Sequence, residues 1–185
     1  MTCTRCVAVL ALAGALAAVT PLHAARAHER ASPFGLDRVD VVDDGDTIET
    51  WNGYRVRLVQ IDTPEVQSYY RNAECYGERA GAVTERLLPS GTPIRLVPDP
   101  ATDRVDTYGR VLAYVIRVRD GLNVNVRLVA VGAAAPYFYD GRRGRYARLL
   151  ERLALRARRL RLGLWGRCPS TPYDPRRGVA TGPAN

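Results

Sequence analysis

The stretch from residue 38 to residue 61 constrains the fold most. Asn52-Gly53 is the strongest short hairpin signal in the chain. It sits between Thr47-Ile48-Glu49-Thr50-Trp51 and the run Tyr54 to Ile61. In that second run Val56, Leu58 and Gln60 fall on one face, and Arg55, Arg57 and Val59 on the other. Upstream, Val39 and Val41 alternate with charged residues, and Asp43-Asp44-Gly45 marks a second turn. Three short strands are expected between residues 38 and 61. Asp62-Thr63-Pro64 ends the last, because Pro64 lacks an N–H and biases Thr63 away from helix. On a straight strand Arg57 and Asp62 would stand ~16 Å apart, so they need not touch.

The remainder alternates helix and strand. Glu74 to Leu88 carries Ala80, Val83, Leu87 and Leu88 at helical spacing and is stopped by Pro89-Ser90-Gly91. Ile94 to Val97 is a short strand, Pro98 to Thr107 a polar loop, and Val111 to Val118 a β-branched strand before the turn Asp120-Gly121. Asn123 to Val131 fits helix or strand; the spacing of Val124, Leu128 and Val131 and the stop at Gly132 favour helix. Arg145 to Leu162 is an amphipathic helix, with Leu149, Leu153, Leu160 and Leu164 opposite an arginine face. Residues 169–185, rich in Pro and Gly, read as a flexible tail.

Residues 1–27 have the layout of a secretory signal peptide: Arg5, the apolar run Val7 to Val19, and Ala25-Arg26-Ala27 as a cleavage site. The other reading is a membrane anchor, but the run falls short of the ~20 residues needed to span. An exported protein is expected, with a leader over 28–37 and a monomeric body. The 185 residues suit one domain, and 46% hydrophobic against 25% charged residues excludes a disordered polyelectrolyte. All 27 basic residues are arginine. The absence of lysine excludes Schiff-base enzymes, Lys-dependent P-loops and Ser-Lys hydrolases. The net charge of +8, or +6 without residues 1–27, points to a polyanionic partner. His23 and His28 lie near the cleavage region, which nearly excludes a histidine base, a Ser-His-Asp triad and His-ligated zinc. Beyond the leader, Cys75 and Cys168 remain; in an exported protein they most simply form a disulfide, the alternative being two buried thiols.

Chemistry gathers at three places. Asp43-Asp44-Gly45-Asp46-Thr47 is a tight turn or a site for a hard cation. Asp62-Thr63-Pro64-Glu65 is a polar turn or a metal ligand with a base. Asp106-Thr107-Tyr108-Gly109-Arg110 ends on an arginine that is either solvent-exposed or a planar fork for phosphate. Together, acids from two turns and arginines from two strand positions suit phosphodiester hydrolysis. A metal polarises a phosphoryl oxygen, a carboxylate takes a proton from water, and arginines offset the growing charge.

In this order and spacing the three motifs resemble the staphylococcal nuclease (thermonuclease) family. Tyr76-Gly77-Glu78 and Gly163-Leu164-Trp165 also fit, and the resemblance spans about residues 38–165 of an expected domain over 38–168. It implies an α+β, mostly β fold: a five-stranded OB barrel with about three helices. It further implies one Ca2+ held by Asp46, Asp62 and the Thr63 carbonyl, with Asp44 nearby. Glu65 would be the general base, and Arg57 and Arg110 the phosphate clamps. Tyr108 would stack on a base. The family's tyrosine pair falls within Pro136-Tyr137-Phe138-Tyr139, where the register leaves either Tyr137 with Tyr139, or Phe138, facing the nucleotide. The family cuts DNA and RNA and leaves 3′-phosphate ends. Its nucleotide-binding lysine is Thr107 here, which weakens one phosphate contact. The alternative function is a non-catalytic OB module that binds nucleic acid, but such copies lose site residues that this chain keeps.

Overall fold

The Asn52-Gly53 hairpin forms as its turn chemistry demands. Gly53 N donates to Thr50 O at 2.8 Å and Thr50 N to Tyr54 O at 3.0 Å, joining β2 (Thr47–Thr50) to β3 (Arg55–Leu58). The computed structural model describes residues 32–67, 72–168 and 170–184. The expected signal peptide over 1–27 and its histidine, His23, lie outside these residues, as do His28 and the start of the leader.

The end of the expected leader is strand. β1 runs from Gly35 to Val42, longer than the alternation from Arg38 suggests, because Gly35 to Arg38 pair with Leu96 to Pro93 of β5 (Pro93–Val97). The other half of β1 pairs with β2, and an irregularity between Val39 and Val41 lets one strand serve both neighbours. β6 (Val111–Arg117) pairs antiparallel with β5 and parallel with β3, where Arg57 lies opposite Leu112. These pairings close a five-stranded barrel in the order β1-β2-β3-β6-β5. Val39, Ile48, Val56, Leu58, Ile94 and Val115 fill it, each fully buried.

Helices cap the barrel. α1 (Gly77–Leu87) starts later than Glu74, because Tyr76 adopts φ +76 and turns the chain into it. α2 (Val124–Ala130) has its N-cap at Asn123, whose side chain accepts from Val126 N. α3 (Ala147–Arg159) packs against the core and α2 through Ala147, Leu150 and Ala154, and Ala157 packs with Leu164 and Trp165, rather than through the leucine stripe read from the sequence; Leu149 and Leu153 flank this face and Leu160 is exposed. The small alanines allow close approach, which moves the buried face round the helix. A short α4 (Leu164–Arg167) buries Leu164 and Trp165 and ends at Cys168, which is bonded to Cys75. That bond spans 93 residues of sequence, worth at most about 4–5 kcal/mol in the chain-entropy description.

The segment read as a flexible tail is laid across the body. Thr171 and Thr181 are buried, and Tyr173 packs edge-on against Trp165. Phe138 N donates to Pro175 O at 2.7 Å, and Cys75 N to Gly182 O at 2.8 Å. Proline and glycine here specify a fixed irregular path whose backbone groups find partners on the barrel. Among the described residues no helix is long and apolar enough to cross a membrane.

Candidate active site

The site is made by a turn absent from the strand pattern. β3 stops at Leu58, and the chain bends through Val59 and Gln60, the latter at φ +67. Buried side chains hold the bend. Gln60 Nε2 donates to Arg142 O at 2.8 Å while its Oε1 accepts from Gly144 N at 2.7 Å. Asn125, fully buried, donates from Nδ2 to Val59 O at 2.9 Å and accepts from Val115 N at 3.0 Å. The chain therefore returns as β4 (Ile61–Asp62), and Asp62 meets Arg57. The ~16 Å of a straight strand gives way to a bond of 2.6 Å from Arg57 Nη2 to Asp62 Oδ1.

Arg57 is the centre of a nest. Its Nη2 also lies 3.1 Å from Asp46 Oδ2, and its Nη1 donates to the carbonyls of Leu58 (3.0 Å) and Ile61 (2.9 Å). Asp46 is buried; Oδ2 accepts from Thr63 N at 2.8 Å and Thr63 Oγ1 at 3.0 Å. Asp44 Oδ1 accepts from Asp46 N at 2.9 Å, which fixes the turn. Thr84 of α1 donates to Gly45 O at 2.6 Å. A Cβ on Gly45 would come within 2.6 Å of Thr63 Oγ1, so glycine is what lets the two acidic turns touch.

The electrostatics follow from that crowding. Burial pushes the Asp46 carboxyl up to about 7; Arg57 pulls it down, and the neighbouring carboxylates of Asp44 and Asp62 add to the rise. Burial alone would lower the Arg57 guanidinium, but Asp46, Asp62, Asp44 and Glu65 together hold it above its ordinary range. The Tyr137 phenol is raised by burial and then by Asp62, which places the tyrosine beside the nest.

The other expected residues stand around it. Glu65 is anchored through its backbone: its N donates to Glu74 Oε2 at 3.1 Å and its O accepts from Glu74 N at 2.9 Å. Its carboxylate acts on Arg57. Arg110 enters β6 just before Val111, the register partner of Val56, but is bonded to Asp106 (Nε to Oδ2, 2.8 Å) and not into the nest. Its guanidinium lies 5.4 Å over the ring of Tyr108, a side chain that is 83% exposed. In the Pro136–Tyr139 segment Phe138 is buried, Tyr139 is exposed and Tyr137 is half-buried. Tyr137 and Tyr139 meet edge-on at 6.4 Å and border a cleft of about 730 Å³.

Among the described residues no group of three His, Cys, Asp or Glu side chains is gathered to hold a metal by side chains alone. The donor set nonetheless fits a hard cation. Asp46 and Asp62 converge on one positive group, the Thr63 backbone stands between them, and Asp44 and Asp62 both act on the buried Asp46 carboxyl as like charges. Asp46, Asp62 and the Thr63 carbonyl would hold it, with Asp44 close by and water completing the shell. Gln60, Asn125 and Thr84 support the site but carry no motif in the sequence; Asp-Gly-Asp, with its central glycine, was the one local sign of a close approach.

The family model described as "Staphylococcal nuclease homologue" matches residues 55–167. The chain is 35% identical to a thermonuclease of Staphylococcus intermedius over 127 residues, 67% of this chain and 72% of that one. It is 42% identical to the SPbeta prophage-derived endonuclease YokF of Bacillus subtilis over 101 residues, 52% of this chain and 33% of the relative. It is 40% identical to the endonuclease YncB of the same organism over 101 residues, 52% of this chain and 46% of the relative. The chain thus spans a third of the first Bacillus protein and under half of the second.

Proposed function

We propose that this chain, which belongs to the family of staphylococcal nuclease homologues, is a secreted, monomeric, calcium-dependent nuclease. It hydrolyses phosphodiester bonds of DNA and RNA with little sequence specificity and leaves 3′-phosphate ends. The observation that carries this is the nest itself: two carboxylates from separate turns, Asp46 and Asp62, share one buried guanidinium, Arg57, beside Glu65. A perturbed carboxyl in such a cluster is the signature of a working site. Arg57 and Arg110 are both kept, which favours catalysis over simple binding.

Calcium, when bound, supplies a Lewis acid to a phosphoryl oxygen and favours ionisation of water. Glu65 accepts the proton of the attacking water at its carboxylate. Arg57, whose two Nη groups are held by Leu58 O, Ile61 O, Asp62 and Asp46, offers its Nε–H and its positive charge to the phosphoryl oxygens as their charge grows. Arg110 does the same from the opposite strand, turning away from Asp106. The P–O bond to the 5′ oxygen breaks, that oxygen takes a proton from solvent to leave as a hydroxyl, and phosphate stays on the 3′ end. Tyr108, Tyr137 and Tyr139 offer ring faces to bases and sugars. Export is supported by the layout of residues 1–27 and by the Cys75–Cys168 disulfide, which suits an oxidising compartment.

Purified protein is expected to cut single-stranded DNA and RNA in calcium and to stop in chelator. End-labelling would show phosphate at 3′ termini. Intact substrate across neutral to alkaline pH in calcium would rule the reading out.

A further inference from the structure

The C-terminal segment reaches the nest. Val179 N donates to Asp62 Oδ2 at 2.8 Å, so that Arg57 holds one oxygen of this carboxylate and residue 179 the other. Gly178 makes the approach possible: it adopts φ +74, and a Cβ there would lie 2.7 Å from Asp62 Oδ2 and 3.7 Å from the Tyr137 ring. Three residues before Gly178, Pro175 O accepts from Phe138 N at 2.7 Å and so fixes the backbone between Tyr137 and Tyr139. Asp174, Pro175 and Arg176 form the facing wall of the cleft at those tyrosines.

Both ends of the segment are tied to one place. It begins at Cys168, bonded to Cys75, and returns so that Gly182 O accepts from Cys75 N at 2.8 Å and Thr181 Oγ1 donates to Cys75 O at 2.7 Å. Pro183 then bridges to Glu74. A loop closed in this way holds its middle, residues 174–179, against the barrel with little freedom.

We infer that residues 174–182 complete the active site, and that the backbone amide of Val179 is a positioning group for Asp62. It sets the rotation of the carboxylate so that Oδ1 faces Arg57, while each oxygen keeps a second lone pair for a cation. Groups that orient a ligand in this way typically account for ~10–100-fold in metal affinity or activity. This rests on the function proposed above.

The test compares the oxidised full-length protein with Val179→Pro, which removes the N–H, and with Gly178→Ala, which keeps every donor but pushes on Asp62. Calcium binding is read by isothermal titration with the metal alone, and cleavage of a single-stranded oligonucleotide is split into kcat and KM. Both variants are expected to weaken calcium binding by about 10–100-fold and to lower kcat in step. KM should stay close to wild type, while Gly178→Ala should melt somewhat lower because a side chain at φ +74 is strained. The conservative Val179→Ala, which restores the N–H, should recover binding. If Val179→Pro does not fold, Gly178→Ala decides by the same titration. Calcium affinity and kcat equal to wild type in the folded variant would overturn this inference alone. A wild-type protein that cleaves nothing would instead overturn the proposed function.

Discussion

Two carboxylates are buried almost equally and serve opposite ends. Asp46 is 5% exposed and Asp99 is 2% exposed. Asp99 accepts from Ala101 N (2.9 Å), the Tyr114 hydroxyl (2.7 Å) and Arg145 N (2.8 Å). Burial works against its charge, but these donors and the nearby Arg145 outweigh it and hold the carboxyl below its usual range. For Asp46 burial is the largest influence and outweighs Arg57 and the Thr63 N–H, with Asp44 and Asp62 adding to the rise, and its carboxyl is pushed up to about 7. Asp99 stitches the loop before β6 to the start of α3 and is charged because it is fully bonded. Asp46 is held in a place where its charge lacks full compensation. The difference teaches that burial of an acid does not by itself reveal its role; whether its donors outweigh the cost of that burial does.

The largest effect should come from the cation that makes the acidic cluster tolerable. Arg57→Ala leaves the buried Asp46 and the half-buried Asp62 without their partner. Cleavage is expected to drop on the order of 10³-fold. Stability should fall by about 3–5 kcal/mol, the usual cost of breaking a buried pair from one side, as read by urea denaturation in chelator. Little loss of either would mean that the nest is not the working centre.

Asp99→Asn should separate structure from function. It weakens a network of buried donors and is expected to cost about 1–3 kcal/mol, while kcat for the folded fraction stays near wild type. A drop in kcat with unchanged stability would erase the distinction drawn here.

A smaller effect, but a sharper sign, lies in pH. In chelator, the folded state keeps a proton on Asp46 up to about pH 7, whereas the unfolded chain releases it near pH ~3.9. Between those values the folded state binds more protons, so the Asp46 contribution to stability falls as pH rises. Asp99 behaves inversely. Its contribution is fully present above its unfolded value and is lost as pH falls through its lower folded value. Denaturation midpoints over pH 3 to 8 should therefore show Asp46→Asn flatter than wild type on the neutral side. Asp99→Asn should be flatter on the acid side.

Much of this was legible before any coordinates. The hairpin, the β-branched Val111 strand, the helix stop at Gly132 and the acid and arginine motifs are local signals. Their order also carried the family resemblance. The bend at Gln60 was not legible, because a non-glycine residue at positive φ leaves no trace in the pattern. It is set by contacts to Arg142 and Gly144, more than eighty residues away. For the same reason the strand arithmetic separated Arg57 from Asp62. The buried face of α3 departs from the leucine stripe because leucine outranks alanine in hydropathy, while close packing selected Ala147 and Ala154 against the core and α2, and Ala157 against Leu164 and Trp165. Proline and glycine in residues 170–184 signalled the absence of regular structure, which is a different matter from mobility. Asp99 sat in what read as a polar loop, since its partners come from β6 and α3.

The central claim is that the charge crowding around Asp46 serves the reaction at some cost to the fold. The most direct test is Asp46→Asn, with stability in chelator at pH 8 and cleavage of single-stranded DNA in calcium measured on the same preparation. The account predicts a protein as stable as wild type or more so, with cleavage lowered by at least ~10²-fold. A variant that loses stability as Asp99→Asn does, or that cleaves at the wild-type rate, would contradict it.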